Sequence, residues 1–182
     1  TIKVGKNGKG RYDQFYLDLF LFSYYTFGMN IIDILLLTKG MIYNSFIDTA
    51  RTKTKIHHPV NLKLPIRPEA QEIMDKYMSD ESEFIFGVLK GNETKKQLKD
   101  RSKAYVRRIN RVLETICKEK NITTHVTTYS ARHTAANQLL AEDVPVAKIS
   151  QLLGHADIKT TQNYLTTLPD YNIRNEVLKI AM

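Results

Sequence analysis

Three side chains near the end of the sequence have types and spacing that suit the chemistry of a phosphate ester. Arg132, His155 and Tyr164 follow one another at short intervals through a helical region. Arginine stays charged and binds two phosphate oxygens at once. Histidine donates or accepts a proton near neutral pH, and a tyrosine oxygen can act as a nucleophile. Together they can form a site that breaks and rejoins a nucleic-acid strand.

The charge of a phosphodiester explains why these residue types are needed. The transition state spreads additional negative charge over the phosphate oxygens, so fixed positive donors aimed at them are the main requirement. A tyrosine hydroxyl, with a reference pKa of about 10, needs nearby positive charge or a base before it attacks. Each residue can also have a purely structural role. Arg132 can form a salt bridge, the Tyr164 ring can pack in the core, and His155 can interact favourably with a helix C-terminus.

The composition describes a basic domain that is large enough for a real core. The chain has 182 residues, of which 42% are hydrophobic and 25% charged, as is usual for globular domains. Its net charge of +8 attracts polyanions, of which nucleic acid is the usual one. One stretch concentrates basic residues that can contact phosphates or form an ordinary solvated face: Lys95, Lys96, Lys99, Arg101, Lys103, Arg107, Arg108 and Arg111.

Nothing in the sequence predicts a membrane span, an oxidising compartment or a metal site. The longest uncharged run, between Asp18 and Asp33, is too short to cross a bilayer. The single cysteine, Cys117, cannot form an internal disulfide, and no His, Cys or Asp cluster has the spacing of metal ligands. Because no signal-peptide pattern opens the chain, the expected location is the cytoplasm, in association with the nucleoid.

The elements that must position the three residues are mostly helical. Apolar residues on nearly all faces predict a central helix over 12–27, followed by a second buried helix over 31–37. Strand-forming residues over 41–64, with a tight connection at 52–55, predict a small three-stranded antiparallel sheet. Amphipathic patterns and end signals predict further helices over 69–78, 96–118, 130–140, 145–153, 158–165 and 172–181. The expected fold class is mainly α with this small sheet, in one domain.

The second half of the sequence resembles the tyrosine recombinase, or phage integrase, family. The residues that carry the resemblance are YSARHTAA at 129–136, LLGH at 152–155 and TTQNY at 160–164. The segments GMNIIDI at 28–34 and RTKT at 51–54 fall where the family has its own equivalents. The resemblance is closest to integrases of mobile elements and implies their catalytic-domain fold. Because the chain begins with threonine, we expect that it is this domain alone, over 1–182, and that an N-terminal DNA-binding domain is missing.

The resemblance implies a role for each site residue and requires no cofactor or metal. Tyr164 attacks the phosphate and forms a covalent 3′-phosphotyrosine, which keeps the bond energy so that strands rejoin without ATP. Arg132 and His155 stabilise the phosphorane-like state. Lys53, on the predicted hairpin, protonates the leaving 5′ oxygen. Lys55 is a rival for that position, and Lys53 can equally be one more residue of a basic face.

Two positions depart from the family's pattern. Asn30 stands where the family usually has an arginine, and Tyr129, three residues before Arg132, where it usually has a histidine. A neutral hydrogen bond is worth about 0.5–1.5 kcal/mol, against about 1.5–3 kcal/mol for a charged one, and a phenol is a poor proton acceptor at neutral pH. We therefore expect Asn30 to bind the phosphate more weakly than the usual arginine would, unless Arg51 takes over that role. His133 is expected to be a buried structural histidine.

The expected partners are double-stranded DNA recombination sites, further copies of the chain and accessory DNA-bending or excision factors. The copies would form a homotetramer on DNA through the apolar side of the last helix, namely Ile173, Val177, Leu178 and Ile180.

Three alternatives to an active recombinase remain. Segments 146–154 and 158–165 can form a helix-turn-helix that only binds DNA, the recombinase fold can have lost catalysis, or the chain can be a basic scaffold for protein partners.

Overall fold

The computed structural model describes residues 14–50, 61–166 and 177–180. Its strands are β1 (Ile42–Tyr43), β2 (Phe46–Ala50) and β3 (Asn61–Pro65), and a 3₁₀ helix (Lys39–Met41) precedes β1. Its helices are α1 (Gln14–Tyr25), α2 (Ile31–Leu35), α3 (Pro68–Tyr77), α4 (Lys95–Glu119), α5 (Thr128–Ala141), α6 (Val146–Leu153) and α7 (Ile158–Thr166). The mainly helical fold with a small antiparallel sheet is therefore as predicted.

The sheet is a meander in which β1, β2 and β3 pair antiparallel in chain order. Alternation along β3 turns Leu62 and Leu64 inward, and Leu64 pairs with the fully buried Ile47 of β2. The connection between β2 and β3 carries Lys53 and Lys55, and it lies outside the described residues together with Arg51.

Helix α1 lies at the centre of the core because apolar side chains cover nearly all of its faces. Leu19, Phe20 and Phe22 have no exposed surface. The helix contacts α3, α4 and α5 directly, and α4 adds Ile109 and Leu113 to the same core. As a result, α5, which carries Arg132, is held against the most deeply buried helix of the described chain. None of the helices in the described ranges combines the length and apolarity needed to span a membrane.

Most helix boundaries differ from the predicted ones by one or two residues, and two of these differences have identifiable reasons. Helix α2 ends at Leu35 instead of residue 37, because the N–H of Leu37 donates to the carbonyl of Ile34 (3.2 Å), three residues back, and not to that of Asp33. The carbonyl of Leu37 then accepts from the N–H of Ile85 (2.9 Å). Helix α5 begins at Thr128, two residues early, because Thr127 and not Ser130 caps it. The N–H of Thr127 donates to Oγ of Ser130 (3.0 Å), and its own Oγ1 accepts from the next turn.

The last helix was predicted to contact a neighbouring copy, and the structure describes four of its residues. Residues 177–180 are helical, and Val177 and Ile180 are buried among side chains of the same chain. Lys120 also donates to the carbonyl of Lys179. In this conformation the two apolar side chains are therefore covered within the chain itself, and Ile173 lies outside the described residues.

Candidate active site

Most of the predicted site residues share one cleft. A cavity of about 690 Å³ opens between the start of α2, the middle of α4, the start of α5 and α7. Asn30, Tyr129, Arg132, His155 and Tyr164 all line it. These five residues come from four separate segments of the chain. The sixth predicted residue lies on the undescribed β2–β3 connection.

Arg132 joins three segments from its position in the second turn of α5. Its side chain is buried, with 5% of the residue exposed. Nη1 donates to the carbonyl of Gly28 (3.0 Å), and Nη2 donates to the carbonyl of Leu153 and to Nε2 of His155 (3.1 Å). Through these bonds the guanidinium stabilises the fold, and its positive charge acts on Tyr164 across the cleft.

Gly28 is required by the close approach of its backbone to α5. A Cβ atom at this position would lie 2.5 Å from Cα of Arg132 and 2.7 Å from its Cγ, and φ is +80°. Both the left-handed conformation and the contact exclude larger residues. From the sequence, Gly28 was identified only as the residue after the predicted helix over 12–27 and as the first residue of the segment GMNIIDI. Its distance to Arg132 is a tertiary property that no local pattern records.

The position of His155 follows from the residue before it. Gly154 adopts the left-handed conformation (φ +65°) that ends α6. The imidazole then lies between Arg132 and Thr161, with Nδ1 2.8 Å from Oγ1 of Thr161. Because arginine can only donate, Nε2 is the acceptor, and the proton of the neutral ring is on Nδ1 and is donated to Thr161.

Thr161 is a site residue that the sequence did not identify. It is fully buried one turn before Tyr164 on α7. Its hydroxyl accepts from Nδ1 of His155, so α7 supplies both the candidate nucleophile and a group that orients the neighbouring histidine. The sequence signals were its place in the segment TTQNY at 160–164 and its helical spacing of three residues from Tyr164.

Tyr164 is half-buried among three other rings. His133 stacks on it with ring centroids 5.2 Å apart and an interplanar angle of 18°. Tyr129 and His155 meet it edge-on, with centroids at 6.3 Å and 5.8 Å. Burial raises the pKa of the Tyr164 phenol, Tyr129 raises it further, and the charge of Arg132 opposes the change. The phenol is therefore protonated at neutral pH in this arrangement.

The two residues that depart from the expected pattern both lie at the cleft. Tyr129 is 52% exposed at its rim. Asn30 precedes the first residue of α2, and its Nδ2 donates to Oδ2 of Asp33 (3.3 Å), a residue with 3% exposure. His133 was predicted to be a buried structural histidine. Its ring is half-buried and stacks on Tyr164 behind the lining of the cleft.

The basic stretch on α4 divides into two groups. Arg101 donates to the carbonyl of Val88 and to Glu93, and Arg108 donates to the Tyr16 hydroxyl, so both take part in the fold. The remaining six are exposed: Lys95, Lys96, Lys99, Lys103, Arg107 and Arg111. Ser102 and Val106 of the same helix line the cleft. Helical spacing puts Lys95 and Lys99 on the same side as these two residues, so positive charge continues from the cleft along α4.

Comparison with known sequences identifies the family. Residues 10–170 match the description of the phage integrase family. The chain belongs to the phage integrase family. This integrase-family chain is similar to the tyrosine recombinase XerD of Listeria monocytogenes, with 41% identity over 54 residues, 30% of this chain and 18% of that protein. It is also similar to the tyrosine recombinase XerC of Oceanobacillus iheyensis, with 30% identity over 100 residues, 55% of this chain and 29% of that protein.

The fold of this integrase-family chain also matches solved structures. The Tn1549 transposon integrase in complex with transposon right end DNA aligns with a TM-score of 0.59 and 17% identity. The alignment covers 91% of this chain and 58% of that one. At this identity the match shows a shared fold. The chain thus spans less than two thirds of the relatives that it matches.

Proposed function

We propose that this chain is the catalytic domain of a tyrosine-type site-specific DNA recombinase. The observation that carries the proposal is the convergence of Arg132, His155 and Tyr164 in one cleft, beside an exposed basic side of α4. Membership of the phage integrase family supports it, as do relatives named as tyrosine recombinases. The substrate is double-stranded DNA, and a mobile element is the favoured source because one structural neighbour is a transposon integrase.

In the proposed reaction, the Tyr164 oxygen attacks the phosphorus and passes its proton to the unprotonated Nε2 of His155 as the bond from phosphorus to the 5′ oxygen breaks. The 3′ end remains on the tyrosine, and the leaving 5′ oxygen takes a proton from Lys53. In the reverse direction, a 5′ hydroxyl attacks the phosphotyrosine and releases the phenol. The number of phosphoester bonds is unchanged, so no external energy source is required.

The hydrogen bonds of Arg132 suggest how a phosphate would activate the site. A phosphate oxygen carries charge and is a stronger acceptor than the Leu153 carbonyl or the His155 imidazole. When Nη2 turns from these groups to the phosphate, Nε2 of His155 is released. Nε2 can then accept the proton of Tyr164, and the imidazolium that results can donate a hydrogen bond to a phosphate oxygen or back to the oxygen of Tyr164. Phosphate binding and the preparation of His155 are thereby linked through one guanidinium.

The test of the function is the formation of a covalent protein–DNA adduct. A pool of DNA duplexes with a randomised segment and a single nick beside it is incubated with the chain, then denatured and resolved. Cleavage next to the nick releases a short strand whose 5′ hydroxyl diffuses away, so the adduct accumulates and its DNA can be sequenced. We expect an adduct enriched in particular sequences. Binding of this DNA without any adduct would contradict catalysis and favour the alternative of a DNA-binding module.

Lys53→Ala is expected to slow cleavage of ordinary DNA by about 10²–10³-fold, the usual contribution of a general acid. The defect should largely disappear on DNA with sulfur in place of the bridging 5′ oxygen. A thiol, with a reference pKa of about 8.5, leaves without being protonated. Lys55→Ala is the matched control. Equal losses on the oxygen and sulfur substrates, or a larger effect at Lys55, would remove Lys53 from this role.

Asn30→Arg is expected to raise the rate of adduct formation by about tenfold, since a charged donor exceeds a neutral one by about 1–1.5 kcal/mol. The carboxylate of Asp33, which already contacts the Asn30 amide, would hold the guanidinium at the cleft. Asn30→Gln keeps the amide and serves as the control. A neutral or harmful effect of the arginine would mean that another residue, with Arg51 as the first candidate, already supplies this charge.

The assembly is part of the same proposal. We expect a homotetramer on DNA, aided by DNA-bending or excision factors, and a location at the nucleoid. Because Val177 and Ile180 are buried within the chain in this structure, a tetramer that uses them requires the last helix to exchange partners. Mass measurement of the complexes on paired DNA sites tests this, and complexes that never exceed one copy per site pair would contradict it.

A further inference from the structure

His133 lies directly beside the candidate nucleophile although the proposed reaction assigns it no role. The His133 ring is nearly parallel to the Tyr164 ring, with an interplanar angle of 18°. Tyr129, one turn earlier on α5, meets the His133 ring edge-on, with centroids 4.3 Å apart. Nδ1 of His133 is buried and makes no hydrogen bond to any residue that the structure describes. The imidazole is therefore held by ring contacts and not by a polar network.

We propose that His133 is a positioning residue that fixes the direction of the Tyr164 hydroxyl by stacking on the phenol ring. The inference rests on the proposed function, because it assigns a partner to the nucleophile of that reaction. One face of the phenol contacts His133, while Tyr129 and His155 meet it at 77° and 84°. Stacked and edge-to-face pairs are the arrangements that aromatic rings prefer. Three such contacts leave the ring little freedom to turn.

The covalent connection between His133 and Arg132 makes this contact relevant to catalysis. The two residues are consecutive on α5, so the group that binds the phosphate and the group that holds the nucleophile are fixed to each other. A misplacement of reacting atoms by about 1 Å can cost about 10²-fold in rate. The stack therefore sets the distance between nucleophile and phosphate through one rigid helix.

The charges around His133 favour the uncharged ring that this role needs. Burial lowers the pKa of His133, and the neighbouring Arg132 lowers it further. The other titratable groups that face it are the phenols of Tyr129 on α5 and Tyr164 on α7. A neutral imidazole can stack on Tyr164 without adding a second positive charge beside the guanidinium.

Three substitutions separate ring stacking from other roles. His133→Phe keeps an aromatic ring and removes both ring nitrogens, of which the buried Nδ1 has no hydrogen bond in the described structure, so it should fold and retain most of the cleavage rate. His133→Leu fills the space without a ring, and His133→Ala empties it. Both should slow adduct formation by about 10²-fold. His125→Ala, a change to an exposed histidine outside the cleft, is the control and should have no effect.

The experiment measures single-turnover adduct formation on nicked DNA selected with the unchanged chain, together with DNA affinity and melting temperature. We expect the alanine and leucine variants to lose rate but not affinity, and the phenylalanine variant to behave like the unchanged chain. Equal rates for His133→Leu and the unchanged chain would overturn the inference. A phenylalanine variant as slow as the leucine variant would also overturn it, since the imidazole nitrogens would then be responsible. Failure of the unchanged chain to form any adduct would instead contradict the proposed function.

Discussion

Tyr164→Phe is expected to abolish the covalent protein–DNA adduct and to leave DNA binding and the melting temperature unchanged. Phenylalanine keeps the ring that stacks on His133 and meets Tyr129 and His155. Only the nucleophilic oxygen is removed. The measurement is adduct formation on nicked DNA, followed by denaturing electrophoresis, with affinity determined separately.

The matched control is Tyr129→Phe, which removes the other phenol of the cleft. Tyr129 is half-exposed at the rim, and its contribution to the raised pKa of Tyr164 is smaller than that of burial. This variant should therefore still form the adduct. An adduct from Tyr164→Phe, or its loss only from Tyr129→Phe, would mean that a different residue attacks the phosphate.

Arg132→Ala is expected to slow adduct formation by about 10³-fold, the upper part of the range for losing one preorganised donor to a developing oxyanion. It should also lower the free energy of unfolding. The guanidinium satisfies the buried carbonyls of Gly28 and Leu153, and an unsatisfied buried polar group costs about 1–3 kcal/mol. Both the chemistry and the fold therefore depend on this side chain.

Arg132→Lys separates the two contributions. Lysine keeps a positive charge but has no planar fork, so it cannot bond Gly28, Leu153 and His155 in the same way. We expect it to recover part of the stability and to remain slow in cleavage. Arg107→Ala, on the exposed side of α4, serves as a surface control that weakens DNA binding without changing the rate on bound DNA. Adduct formation by Arg132→Ala at the unchanged rate would exclude Arg132 from the transition state.

The sequence was sufficient to predict the elements that bury a continuous apolar surface. Helix α1 is apolar on nearly all faces, and Leu19 and Phe20 are fully buried. The alternation in β3 likewise predicted which side of the sheet faces inward. These predictions succeed because hydrophobic periodicity depends on neighbours in the same element. Helix ends were less predictable, since Leu37 and Thr127 make hydrogen bonds that periodicity does not encode.

The side-chain contacts within the site could not be predicted in the same way. The types and spacing of Arg132, His155 and Tyr164 indicated one site, and the structure places them in one cleft. However, the orientation of His155 by Thr161 and the stack of His133 on Tyr164 join different helices. A periodic pattern tells which side of a helix faces inward, but not which residue of another helix it meets.

The contacts of the charged residues could not be predicted from the sequence either. Composition predicted a basic protein, and the concentration of lysine and arginine on α4 is evident from the sequence. Two of those residues, Arg101 and Arg108, instead bind groups of the same chain. Their partners, Glu93 and Tyr16, lie on other segments. A count of charges therefore does not show which basic side chains also take part in the fold.

The most direct test of the central claim is to identify the residue that carries the DNA. The adduct is trimmed with nuclease, digested with trypsin and sequenced by tandem mass spectrometry. We predict a nucleotide joined through its 3′ phosphate to Tyr164 and to no other tyrosine. Attachment to Tyr129 or to any other residue, or the absence of an adduct with DNA that the chain binds, would contradict the account.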